Sequence, residues 1–114
     1  MRTTKETKRS QVEKAGSVSP DLITEVFTYW KTTMQKNARA ALSEERRILI
    51  GAAIHDYGVA DCKEAIRGCS VSPFHMGANK QRKRYDSLEL IFRNTEKIEG
   101  FIQVAEENPE VDPF

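Results

Sequence analysis

Residues 68–93, GCSVSPFHMGANKQRKRYDSLELIFR, hold three pieces in succession. Ser72, Pro73, Phe74, His75, Met76 and Gly77 read as a one-turn apolar anchor. Lys80, Arg82, Lys83 and Arg84 then crowd into five positions and end at Tyr85, a basic loop. From Asp86 or Ser87 a helix begins that carries Leu88, Ile91 and Phe92 at three- and four-residue steps. A cationic loop pinned between apolar anchors is a way to present charge to a phosphate backbone. The segments on either side supply its scaffold.

Upstream, Ser19-Pro20 is a helix start: a capping hydroxyl, then proline at the first helical position, with Asp21 suited to the amino-terminal dipole. Leu22, Ile23, Val26, Phe27, Trp30 and Met34 follow as one apolar stripe, which predicts a helix to about Gln35. Trp30 falls on that stripe and belongs to the core; Tyr29 lies at its edge. Ser43 caps a second helix, with Glu44 and Glu45 in its first turn and Ile48, Leu49, Ala52, Ala53 and Tyr57 on its inner face. Gly58 is its natural stop. A third helix, about Ala60 to Arg67, turns Cys62, Ala65 and Ile66 inward and ends at Gly68.

Two helices joined at Gly58 invite comparison with a DNA-binding helix-turn-helix. With Gly58 as the turn glycine, that motif needs a small residue four positions earlier and an aliphatic six positions later. Ile54 and Glu64 stand there, so a helical hairpin is expected and a recognition helix is not. Downstream, Asn94-Thr95 recaps the chain for a last helix with Ile98, Phe101, Ile102 and Ala105 on one face. It should fade before Asn108-Pro109, since the residue before proline disfavours helix.

The expected class is therefore all-α: about five helices and one short turn near residues 72–77, with no strand pattern, internal repeat or Gly-rich phosphate loop. At 114 residues, with 39% hydrophobic and 31% charged side chains, the chain suits one small globular domain. No apolar run approaches the ~20 residues of a membrane span, and the amino terminus lacks the apolar segment of a secretory signal. Two cysteines are too few for a disulfide framework, so reduced thiols in a cytoplasmic protein are expected.

The net charge of +1 conceals a segregation. Residues 1–18 balance at +3, the loop 80–85 at +4 and residues 99–114 at −5. Residues 1–18 have Val12 and Val18 as their only large aliphatics, which predicts a flexible basic arm. Residues 19–107 form the helical domain, and 108–114 an acidic flexible tail ending in Pro-Phe.

Cys62 and Cys69 are seven positions apart with helix between them, unlike the short hook of a structural zinc site, so neither metal nor cofactor is expected. His55 and His75 are read as capping or core residues. Nothing marks an activated nucleophile or a carboxylate cluster, and the chain is read as no enzyme. The leading site is Lys80, Arg82, Lys83, Arg84 and Tyr85, contacting nucleic acid, most directly DNA, with little sequence preference. Tyr85 either stacks on a base or packs inward.

The tail is the second candidate. Asp112, Pro113 and Phe114 after scattered acids resemble the Pro-Phe-ending tail of bacterial single-stranded-DNA-binding proteins. Such a tail docks by its terminal aromatic and carboxylate on a basic-rimmed pocket of a replication or repair protein.

Taken together, Trp30, the Arg46–Ile50 helix, Gly58, Ala65-Ile66 with Gly68, Ser72 and Phe74-His75 with Gly77 and Asn79, Tyr85 with Leu88, Ile91 and Arg93, and Ile98 with Phe101 form a recognisable set. Over about residues 26–102 it resembles the C-terminal domain of phage- and prophage-encoded replication proteins. In that family the domain usually follows a winged-helix DNA-binding domain, which this sequence does not contain. The resemblance implies a non-catalytic accessory of phage DNA replication that recruits a host protein such as the replicative helicase. It also implies that Trp30, Phe74, Gly77, Tyr85, Leu88 and Ile91 determine the fold. The alternative is a small phage module that binds or inhibits a host machine without touching DNA.

Overall fold

The computed structural model describes residues 4–109, with side chains from residue 9 onward. Among these the protein is all-α, with α1 (Thr4–Gly16), α2 (Pro20–Thr33), α3 (Glu44–Ser70), α4 (Leu88–Ile91) and α5 (Thr95–Glu107). It divides into two compact units, Met1–Lys63 and Glu64–Phe114.

In the first unit, α2 begins as its sequence predicts. Ser19 Oγ accepts from the Asp21 N–H at 3.3 Å and Pro20 opens the helix. Ile23, Val26, Phe27 and Trp30 are buried within it, with Met34 just beyond, whereas Leu22 stays exposed and the stripe is narrower than expected. Trp30 meets Phe27 at 5.7 Å, and the Arg46 guanidinium lies 5.0 Å from its ring centroid. Such a cation over a buried indole adds a favourable quadrupole interaction to the burial itself.

α3 starts with Ser43 Oγ accepting from the Arg46 N–H at 3.2 Å. Its inner face differs from the expected one. Residues 50–54 are buried consecutively, while Ile48, Leu49 and Tyr57 are only half-buried. A helix covered on all sides loses the one-sided periodicity from which a face is read. Gly58 does interrupt it, with φ 86° and ψ 164° inside an otherwise continuous element. That region is essentially open to glycine alone.

Within residues 1–18, the described helix corrects an expectation. The basic arm, expected to be flexible, is helical over Thr4–Gly16. Ala15 seats against α3 at Gly51, where an added Cβ would come within 2.6 Å of the Ala15 Cβ. Lys14 Nζ reaches Asp56 Oδ2 at 2.9 Å. The His55 ring first, and Lys14 second, hold the Asp56 carboxyl below the usual carboxylate range. A segment too polar to fold alone gains order from a small-residue contact and an ion pair that lie far away in sequence.

In the second unit, the last turns of α3 bury Ala65, Ile66 and Cys69 and run on to Ser70, past the predicted end at Gly68. Ser87 caps α4 through the Leu90 N–H at 3.1 Å, burying Leu88, Ile91 and the adjoining Phe92. Asn94 caps α5 through the Lys97 N–H at 2.9 Å. α5 buries Ile98, Phe101 and Ala105 and stops before Asn108-Pro109, as the proline requires.

Candidate nucleic-acid interface

The loop between α3 and α4 is built by hydrogen bonds. Its base is closed where Met76 and Arg84 form an antiparallel bridge and the Tyr85 N–H donates to the His75 carbonyl at 2.7 Å. Inside, one side chain clasps both limbs. Asn79 Nδ2 donates to the Phe74 carbonyl at 2.8 Å and the Lys83 carbonyl at 2.7 Å, and Asn79 Oδ1 accepts from the Lys83 N–H at 3.1 Å. The loop also holds Arg82 at φ 53°, a left-handed conformation that costs a non-glycine residue of order 1 kcal/mol. The Arg82 N–H donates to the Asn79 carbonyl at 3.0 Å, so the same residue supports the strained position.

The predicted cations divide into two groups. All four are exposed. Lys80 and Arg82 side chains make no hydrogen bond or ion pair with the described residues. Lys83 Nζ stands 5.6 Å from the Tyr85 ring centroid. Arg84 has a structural task, since its guanidinium lies 2.8 Å from Asp86, whose side chain is 6% exposed. A carboxylate that deep needs an opposite charge beside it.

Phe74 departs from expectation. As a fold determinant in the apolar anchor it should be buried, yet it is 54% exposed. His75, half-buried, turns inward and meets Phe101 edge-on at 4.9 Å and 76°. Phe74 instead stacks on Tyr85, with centroids 5.7 Å apart and planes within 9°. Tyr85 is half-buried. The result is an aromatic pair on the surface with Lys83 beside it and Lys80 and Arg82 on the same loop. Little in residue order distinguished Phe74 from a core phenylalanine. The only available signal was the preceding proline and the shortness of the segment.

The other singled-out residues lie elsewhere. Cys62 and Cys69 are buried free thiols, and burial, then Asp61, pushes the Cys62 thiol up to about 12. His55 is exposed beside Asp56. Among the described residues no three His, Cys, Asp or Glu side chains gather as a metal site would require, and no helix is long and apolar enough to cross a membrane. The tail residues Asp112, Pro113 and Phe114 lie outside the described residues. Compared with known proteins, the chain matches no family model, no curated protein and no solved structure.

Proposed function

We propose that this protein binds nucleic acid, with unpaired bases stacking on the Phe74–Tyr85 pair and phosphates held by Lys80, Arg82 and Lys83. The observation that carries the reading is the half-exposed Phe74 stacked on Tyr85 within a basic loop. An aromatic surface accepts any base, and cations track the backbone, which together give binding without sequence readout. The cost of exposing a phenylalanine and straining Arg82 has a rationale in ligand contact.

The setting in phage or prophage DNA replication, as a non-catalytic accessory, rests on the family resemblance of residues 26–102. A host replication protein is the expected second partner, through the helical body or through Asp112, Pro113 and Phe114. Deleting Pro113-Phe114 should abolish its capture from bacterial lysate, and capture that survives the deletion removes the tail from the reading.

The interface itself is tested by oligonucleotide affinity as a function of salt. Changing Lys80, Arg82 and Lys83 together to Ala should flatten the slope of log affinity against log salt by roughly 2, at about 0.7 per single-strand phosphate. Phe74→Ala should weaken binding roughly tenfold, a stacking contribution of about 1.4 kcal/mol, while the salt slope stays. A protein partner is the rival reading, favoured by Val71, 38% exposed, close to Phe74 in sequence. It prevails if the unaltered protein shows no oligonucleotide binding even at low salt.

A further inference from the structure

Next to the aromatic pair lies a groove of about 280 Å³ lined by His75, Glu96, Lys97, Gly100 and Phe101. His75 joins it to the candidate interface, since its ring also meets Phe74 edge-on at 5.3 Å and 78°. The His75 Nδ1 is held by Ser72 Oγ at 2.8 Å, which leaves Nε2 as the nitrogen for a ligand. When the Ser72 hydroxyl donates to Nδ1, the neutral ring carries its proton on Nε2 and is a donor there.

The charged groups that line the groove with His75 are Lys97 and Glu96, both from α5. The turn that carries His75 adds Ser72 and no charge, and Arg84, across the bridge, is paired with Asp86. Burial first, and Lys97 second, hold the His75 imidazole below its ordinary value of 6.5. At neutral pH the ring is therefore uncharged, and Lys97 and Glu96 offset one another. Protonating His75 turns a groove of no net charge into a cationic one.

We propose that this groove is a phosphate subsite, in which Lys97 and His75 hold one phosphate of the nucleic-acid strand that stacks on Phe74. This rests on the nucleic-acid reading above and extends it by a second anchoring point. A bound phosphate favours the imidazolium that burial and Lys97 oppose. Binding and protonation are linked, and the strand is held more tightly as pH falls through the His75 range. If the phosphate raises the His75 value by about one unit, the gain approaches tenfold.

The test is titration of the full chain with a fluorescent oligothymidylate, whose bases do not titrate, at about pH 7.5 and about pH 5.5 and constant salt, bracketing the histidine range. Two variants accompany it. His75→Gln keeps a polar side chain without the charge. Gly100→Glu sets a carboxylate beside Lys97, and an added Cβ at Gly100 meets nothing within 4 Å. The unaltered protein should bind roughly tenfold more tightly at the lower pH, and both variants should lose that gain. The Lys80, Arg82 and Lys83 triple variant should bind weakly at both pH values yet keep it. A gain that persists in both variants, or no gain in the unaltered protein, overturns the subsite alone. No binding at either pH overturns the nucleic-acid reading and the subsite with it.

Discussion

Gly68→Ala is expected to cost roughly 3 kcal/mol or more of folding stability, the upper end of what overpacking a well-packed interior costs. A Cβ at position 68 would stand 1.8 Å from the Phe101 carbonyl oxygen and 2.7 Å from its carbon. Both obstacles are backbone, so no rotamer change relieves them, and α5 must move away from α3 as a body. Phe101 is itself buried, and so are Ile98 and Ala105 on the same face. The displacement would therefore open apolar contacts along α5. For a domain whose whole stability is of order 5–15 kcal/mol, this is a large fraction. Chemical denaturation measures it. The control is Gly100→Ala on α5, where there is open space and the better helix former should add about 0.5–1 kcal/mol. Equal midpoints for the two variants would falsify the close approach of Gly68 to the Phe101 backbone.

The second large effect concerns Arg67, 9% exposed. Its guanidinium donates to the Asn108 carbonyl at 2.7 Å and the Ala105 carbonyl at 2.8 Å, and pairs with Glu64 at 2.9 Å. Arg67 thus satisfies the Asn108 carbonyl, adds a second donor to the Ala105 carbonyl that already accepts the Asn108 N–H at 3.1 Å, and sets a positive charge at the negative end of the helix dipole. Arg67→Met preserves the volume and removes every donor. The Asn108 carbonyl loses its partner and the Ala105 carbonyl one of its two donors, while Glu64, 39% exposed, can turn to water. The expected loss is about 2–4 kcal/mol, with faster amide exchange in the last turn of α5. Arg67→Lys should fall between, because an ammonium lacks the planar fork that spans several acceptors. Exchange rates unchanged in Arg67→Met would show that the cap does not hold that turn.

Much of the helical plan was legible in residue order because its signals are local. Ser19-Pro20, Ser43 and Asn94 each start a helix as predicted, and Ser87 is the one of two expected starts that caps α4, since a cap needs only the next two or three residues. Most of the α2 stripe and of the α5 face follows from apolar spacing, with Leu22 and Ile102 outside the buried part. The expected number of helices also agrees with the structure, though the set differs. The two helices expected on either side of Gly58 meet there at non-helical backbone and are counted together as α3, and α1 comes from a segment read as flexible.

The candidate site was legible in part. The run Lys80–Tyr85 marked the loop, and the structure leaves Lys80, Arg82 and Lys83 exposed on it. It could not show that Arg84 belongs to Asp86, because which of several adjacent cations meets a buried carboxylate depends on the bridge between Met76 and Arg84. Nor could it show that Asn79 ties the loop from within, since its partners are backbone groups that any residue would supply.

Residue order, then, determined where helices start and stop and where positive charge collects, because capping, proline chemistry and periodicity act over a few residues. Tertiary structure alone decided which groups meet across long separations. Ala15 against Gly51 makes a helix of a polar segment, and Gly68 admits the Phe101 backbone. His75 takes the inward place and leaves Phe74 outside on Tyr85. Each depends on which surface arrives opposite, and the free energy of burial belongs to the pair of surfaces and not to either stretch of chain.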